Sequence, residues 1–251
     1  MLVAVSLTGG VPIRLLEEAA RAERSDADVV EWRLDFLREE GAADISALAR
    51  AVHETIAPKK LLLTLRSPGE GGSESLPHDL RADVFRKAFA DGQPDYVDIE
   101  REGEDAVYSP VDHMARDIGV GRIGSRHIQD GTPPVSWMVD ALLDAYHHGY
   151  IPKLAVTAHR LEDAARLLEA TATARERGIR GPLITMAMGE FGQITRLVGG
   201  VFGSTMTFAA LGAPSAQGQL PLDVVIRVLG HLERMGMVRD DSDRDLPPAE
   251  V

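Results

Sequence analysis

The chain has 251 residues, 44% of them apolar, with a formal net charge of −12 and a sequence pI near 5.1. That length and apolar fraction allow a sizeable core, and the acidic balance argues against nucleic acid or an anionic membrane as the main partner. Without cysteine there are no disulfides, thiol nucleophiles or thiolate metal sites, and with neither a signal-like start nor a spanning apolar run a cytoplasmic protein is expected.

Taken in order, the pattern alternates strand and helix. Leu2 to Leu7 reads as a strand, Ile13 to Glu23 as a helix, Asp28 to Leu34 as a strand and Ile45 to Ile56 as a helix. The alternation continues with strand Leu61–Leu65, helix Leu80–Phe89, strand Tyr96–Ile99 and a helix through Val111 to Arg116. Strand Gly121–Ser125, helix Val135–His147, strand Ile151–Val156 and helix Leu161–Arg177 follow. Strand Leu183–Met186, a short helix Ile194–Val201, strand Met206–Ala209 and helix Leu222–Met235 complete the set. Eight such units in one chain favour a single-domain (β/α)8 TIM barrel over residues 1–236. An open doubly wound sheet would show a glycine-rich dinucleotide turn after an early strand, and Gly9-Gly10 is too sparse for one. Residues 237–251, rich in aspartate and ending Leu-Pro-Pro-Ala-Glu-Val, read as a flexible tail.

Barrel chemistry sits at the C-terminal ends of the strands, on alternate residues that point inward. Glu31, Arg33 and Asp35 share one parity in the second strand, as either an internal ion-pair network or a polar pocket. Arg66 ends the third strand, followed by a glycine-rich loop with Glu70; each is a candidate for the site or an exposed loop charge. Asp98 and Glu100 end the fourth strand, where paired carboxylates bind a metal, orient arginines or cap a helix. His127 ends the fifth strand, while the other seven histidines fall in helices or loops. After the seventh strand a tight loop leads to Arg196 at the start of a helix, a place that favours anions. After the eighth, Gly212 to Gln219 reads as a lid of small and polar residues.

Lys153 is the residue the others surround. The chain has four lysines, and Lys59, Lys60 and Lys87 lie in polar stretches, whereas Lys153 lies inside an apolar strand, Ile-Pro-Lys-Leu-Ala-Val. Burial disfavours an ammonium and favours the free amine that attacks a carbonyl; the plainer alternative is a lysine snorkelling from a strand edge. His127 on the preceding strand suits a proton-transfer group beside an imine.

The ordered set of motifs resembles type I 3-dehydroquinate dehydratase, a Schiff-base enzyme of the shikimate pathway. The matching pieces are Glu31-Trp32-Arg33-Leu34-Asp35, Arg66-Ser67 with Glu70-Gly71-Gly72, Tyr96-Val97-Asp98-Ile99-Glu100, Ser125-x-His127 and Pro152-Lys153-Leu154-Ala155-Val156. Met188-Gly189-x-x-Gly192-x-x-Thr195-Arg196, Val201-Phe202-Gly203-Ser204 and Ser215-Ala216-x-Gly218-Gln219 continue it. The resemblance implies a barrel homodimer acting on 3-dehydroquinate, with no cofactor and no metal. It implies Lys153 as the imine-forming lysine, His127 as the proton-transfer histidine and Glu70 as that histidine's carboxylate partner. Ser6, Glu31, Arg33 and Arg66 become substrate-binding residues, Arg196 the carboxylate clamp, and Ser215 and Gln219 the closing residues of the lid. Three features depart from the family: the chain starts almost at the first strand, Arg126 and Ile128 flank the histidine, and Gln217 stands where the lid has proline. Two other readings of the same residues are a barrel aldolase of the Schiff-base class and a non-catalytic binder of small carboxylates; the lysine–histidine pair weighs against the second.

Overall fold

The computed structural model describes residues 1–38, 44–73, 78–101 and 105–238. Among the described residues eight strands alternate with eight helices: β1 (Leu2–Leu7), α1 (Pro12–Glu23), β2 (Val29–Arg33), α2 (Ile45–Ile56), β3 (Lys60–Thr64), α3 (His78–Gly92), β4 (Tyr96–Glu100), α4 (Asp105–Asp117). The second half follows as β5 (Gly121–Ile128), α5 (Val135–His147), β6 (Ile151–Thr157), α6 (Leu161–Glu176), β7 (Ile184–Met188), α7 (Gln193–Val198), β8 (Met206–Ala209) and α8 (Leu222–Arg234). All pairings are parallel, in the order β7-β6-β5-β4-β3-β2-β1-β8. The expected (β/α)8 barrel is present. It closes irregularly: Thr205 N donates to Leu183 O at 2.7 Å, and Ser204 Oγ accepts from Thr185 N at 3.1 Å, in place of a regular β7–β8 ladder.

The strand sequences decide what faces where. A strand covered by helices outside and closed on itself inside is buried on both faces, and successive side chains alternate between them. Outward residues such as Val3, Val5, Val30, Trp32, Leu61 and Leu63 pack against the amphipathic faces of the helices, for instance Leu15, Ala19 and Ala22 of α1. Inward residues form a second core: Leu2, Ala4, Val29, Leu62, Tyr96, Ile123, Ile151, Ile184, Met206 and Phe208. Along each inward row the chemistry then changes toward the C-terminal end. Val29 gives way to Glu31 and Arg33, Tyr96 to Asp98 and Glu100, Ile123 to Ser125 and His127, and Ile151 to Lys153. The barrel is apolar at one end and charged at the other, and the charged end is where its loops converge.

Two expectations are corrected. Asp35 is not on the inner face of β2, which ends at Arg33; Leu34–Phe36 form a 3₁₀ turn that swings its carboxylate back onto the Arg33 guanidinium. Arg196 lies in the last turn of α7, not at its start, because that helix begins at Gln193 and, at Gly199-Gly200, tightens into a 3₁₀ turn. Most of the expected tail, 239–251, falls outside the described residues, while Val238 is buried with Met1 beside Gly200.

Candidate active site

The register of β5 and β6 sets Ser125 beside Lys153 and His127 beside Ala155, so amine and imidazole share one face, offset by two residues. Lys153 is 5% exposed. Its Nζ donates to Asp98 Oδ2 at 2.7 Å and lies 4.6 Å from the centroid of the Phe208 ring. A lone buried ammonium would be costly; a carboxylate and an aromatic face both offset that cost. Asp98 also accepts from Ser125 Oγ at 2.5 Å and faces Arg66 Nη2 at 2.9 Å. Burial opposes its charge, but Arg66 and Lys153 hold its carboxyl well below the usual carboxylate range.

Arg66 is the hub of this layer. Its Nη1 reaches Glu100 Oε1 and Ser125 Oγ at 3.0 Å and Glu70 Oε2 at 3.2 Å. Burial disfavours its charge, yet Asp98, Glu100 and Glu70 keep it above the ordinary arginine range. Asp98 and Glu100 thus orient an arginine, and among the described residues no group of three His, Cys, Asp or Glu is placed to hold a metal.

His127 Nδ1 stands 2.8 Å from Glu70 Oε2. The glycine-rich loop after β3 brings the carboxyl there: Pro68–Glu70 form a 3₁₀ turn that ends on Gly71, whose φ of +85° suits glycine. Burial, with the positive charges of Arg66 and Lys153, pushes the imidazole well below its ordinary value, so it is neutral at pH 7. Burial lifts Glu70 to about 8; Arg66 opposes that, and Glu100 and Asp98 reinforce it. The pair can therefore hold a proton near neutrality and release it as pH rises through about 8. With Glu70 ionised and hydrogen-bonded to Nδ1–H, Nε2 is left as a base.

On the opposite side Arg196 is 1% exposed. Its contacts are weak: Nη1 to Met186 Sδ and to Phe208 O, each at 3.4 Å, and Nη2 to Gln217 O at 3.5 Å. Its Nε has no partner among the described residues, and burial alone pushes its pKa down to about 10. A buried guanidinium with only weak neutral contacts is able to take an anion from outside as its partner.

These groups enclose one cavity of about 680 Å³. Lys153, His127, Glu70, Glu31, Arg33, Arg66, Arg196, Ser215 and Gln219, all expected in the site, line it together. Ser6 does not; its hydroxyl donates to Glu31 Oε2 at 2.5 Å, while Thr64 Oγ1 donates to Oε1 at 2.9 Å. Arg33 is spoken for by a two-point pair with Asp35, at 2.7 and 2.8 Å. Ser215 and Gln219 bond to each other, with Ser215 N donating to Oε1 at 2.8 Å and Nε2 donating to Ser215 Oγ at 3.0 Å. Gln129, Thr157, His159, Met186, Met188 and Phe208 also line the cavity and were not expected there. Strand parity could have found Thr157, four residues after Lys153 in β6; Gln129 and His159 lie just past the ends of β5 and β6, beyond the reach of that rule.

The match to known proteins covers nearly the whole chain. The family model described as Type I 3-dehydroquinase matches residues 3–235. A 3-dehydroquinate dehydratase of Salmonella typhimurium is 37% identical over 221 residues, 87% of each chain. The crystal structure of 3-dehydroquinate dehydratase from Geobacillus kaustophilus superposes with a TM-score of 0.84 at 34% identity, covering 93% of this chain and 91% of that one. A type I enzyme from Clostridium difficile, solved with covalently modified comenic acid, gives a TM-score of 0.86 at 30% identity, with 93% and 92% covered.

Proposed function

This chain belongs to the type I 3-dehydroquinase family, and from that premise we propose that it dehydrates 3-dehydroquinate to 3-dehydroshikimate, a step of the shikimate pathway, through an imine on Lys153. The observation that carries the reading is one buried amine, Lys153, on the strand next to a neutral imidazole backed by a carboxyl, with an arginine that has no acidic partner among the described residues lining the same cavity.

The steps follow from the groups. Lys153 Nζ adds to the substrate ketone, and water leaves as the iminium forms. The iminium acidifies the neighbouring C–H, and His127 Nε2 removes that proton to give an enamine. The enamine expels the β-hydroxyl, which takes a proton from His127 and departs as water. One water molecule then hydrolyses the new iminium, freeing product and Lys153. Condensation and hydrolysis cancel, so the net change is loss of one water, and one hard elimination becomes several easier steps. Asp98 and Ser125 place Lys153; Arg66 holds Glu70 against His127; Glu31 and Arg33 meet the substrate's hydroxyls, with Ser6 fixing Glu31 from behind. Borohydride added with 3-dehydroquinate tests the reading: it should leave the reduced adduct on the peptide containing Lys153. A label on any other lysine would sink the assignment.

Arg196 is the carboxylate clamp in this scheme. Arg196→Lys keeps a charge but loses the planar two-point grip, so KM for 3-dehydroquinate should rise roughly tenfold or more with kcat less affected. An unchanged KM in steady-state kinetics would remove Arg196 from this role. Arg66 would not replace it, because Glu70, Asp98, Glu100 and Ser125 already engage its guanidinium.

The loop from Pro214 to Gln219 acts as a lid over bound substrate. In the structure Ser215 and Gln219 satisfy each other, so closure on a ligand exchanges those bonds for bonds to the ring. Gln217 N makes no backbone hydrogen bond among the described residues, so proline there forfeits none. Gln217→Pro should lower KM about two- to fivefold by restricting the open loop, the equivalent of about 0.4–1 kcal/mol. Limited proteolysis checks the lid itself: product should protect this loop, and equal cleavage with and without product would show it does not close. Consistent with its family, the protein is proposed to act as a cytoplasmic homodimer, which sedimentation velocity would test.

A further inference from the structure

The inward rows of β5 and β6 do not stop at His127 and Lys153. His127 lies beside Ala155 and Ile128 beside Val156; just past that last pair Gln129 opens the turn after β5 and Thr157 ends β6, one layer nearer the mouth. His159 stands above Thr157, and all three side chains line the cavity. In the barrel order β6 is four strands from β2, which places this layer across the cavity from Glu31 and Arg33.

The wall has a definite chemistry. Gln129 and His159 are exposed at the mouth, and the Gln129 amide and His159 ring have no hydrogen-bond partner among the described residues. Thr157 donates its hydroxyl proton to Ile128 O at 3.0 Å, leaving its oxygen to face the cavity as an acceptor. Gln129 lies close to the loop that carries Glu70, since a Cβ on Gly71, next in sequence to Glu70, would stand 2.9 Å from its Nε2. The layer thus offers two unused donor–acceptor groups and one acceptor. Its charge is not built for a carboxylate: among the described cavity residues the buried cation without an acidic partner is Arg196, outside this wall. An uncharged hydroxyl, which both gives and takes a hydrogen bond, fits it.

We propose that Gln129 and His159, with Thr157 between them, form a specificity-determining wall that hydrogen-bonds one of the ring hydroxyls the reaction leaves in place. The wall rests on the dehydratase reading above. A ring held at Lys153 by its ketone and at Arg196 by its carboxylate is fixed at two points and is still free to pivot about the line joining them. Glu31 and Arg33 on one side and this wall on the other remove that freedom. The wall touches no reacting atom, so its contribution falls on binding and on discrimination between substrates rather than on the chemical step.

The test uses the full-length protein and its Gln129→Leu and His159→Leu variants, which keep side-chain bulk but remove hydrogen bonding. With 3-dehydroquinate each variant should show KM raised about three- to tenfold, the scale of one neutral hydrogen bond lost. The rate kcat should stay within about threefold, and borohydride trapping at saturating substrate should match the parent. Two analogues, each lacking one of the two retained hydroxyls, then locate the contact. With one of them the parent and variant kcat/KM values should converge, because the bond is already missing. Unchanged KM in both variants overturns the wall, and so does a penalty that persists with both analogues, which marks a merely structural role. If the parent itself fails to turn over 3-dehydroquinate, the dehydratase reading falls and the wall falls with it; active parent with indifferent variants removes the wall alone.

Discussion

Replacing Lys153 with alanine is expected to abolish dehydration, with turnover down by a factor on the order of 10⁴ or more, the scale that follows loss of a covalent nucleophile. The expectation rests on position, because the alternatives are placed elsewhere. Lys59 Nζ donates to Ser25 O and Ala27 O at 2.8 and 2.6 Å, away from the cavity, and Lys60 pairs with Asp95 at 3.1 Å. Lys87 pairs with Asp83 at 2.8 Å on the surface of α3. Lys59→Ala and Lys60→Ala should therefore turn over like the parent. Alanine at 153 also removes one partner of a buried carboxylate, but Asp98 keeps Arg66 at 2.9 Å and Ser125 at 2.5 Å, so the barrel should still fold. Lys153→Arg separates charge from chemistry: it keeps a cation beside Asp98, but its guanidinium stays protonated and forms no imine. Measurable dehydration in Lys153→Arg would mean the reaction does not pass through an imine at this position.

His127→Ala should behave differently. Imine formation should remain detectable by borohydride trapping, while turnover falls by a factor on the order of 10² to 10⁴, the range for a general acid–base group. Near-parent turnover would show that another residue moves the proton. The pH dependence carries a sharper signature. Because burial and the charges of Arg66 and Lys153 push His127 well below 6.5, no acid limb should appear at the ordinary imidazole value. Glu70, raised to about 8 by burial, releases its proton as pH rises through that value, and only then does its carboxylate hold the proton on Nδ1 and free Nε2. The ratio kcat/KM should accordingly increase with pH through about 8 in the parent and lose that limb in Glu70→Gln. A profile with the same limb in both would assign it to another group.

The sequence by itself pointed to the barrel and singled out Lys153 and His127, which the structure brings to one cavity. Eight alternating units, each with a strand buried on both faces, favoured a closed barrel over an open sheet, and the parity of each strand indicated which of its residues point inward. That rule is local and has a period of two, so it placed Glu31 and Arg33 inward without any knowledge of their neighbours, while Lys153 stood out as a lysine inside an apolar run and His127 as the histidine at a strand end. It reaches Thr157 at the end of β6, but not Gln129 or His159, which lie past the strand ends where, as Asp35 shows, the alternation lapses. What parity cannot give is pairing. Arg33, Arg66 and Arg196 look alike in sequence, yet one is closed by Asp35, one is bound by Glu70, Asp98 and Glu100, and one is left with weak neutral contacts. Asp98 reaches Lys153 across 55 residues of chain, and Ser6 serves Glu31 across 25, because the barrel curves those strands toward a common axis. Ion pairing depends on distances of a few ångströms between residues remote in sequence, and desolvation depends on what covers them; both exist only once the chain has closed.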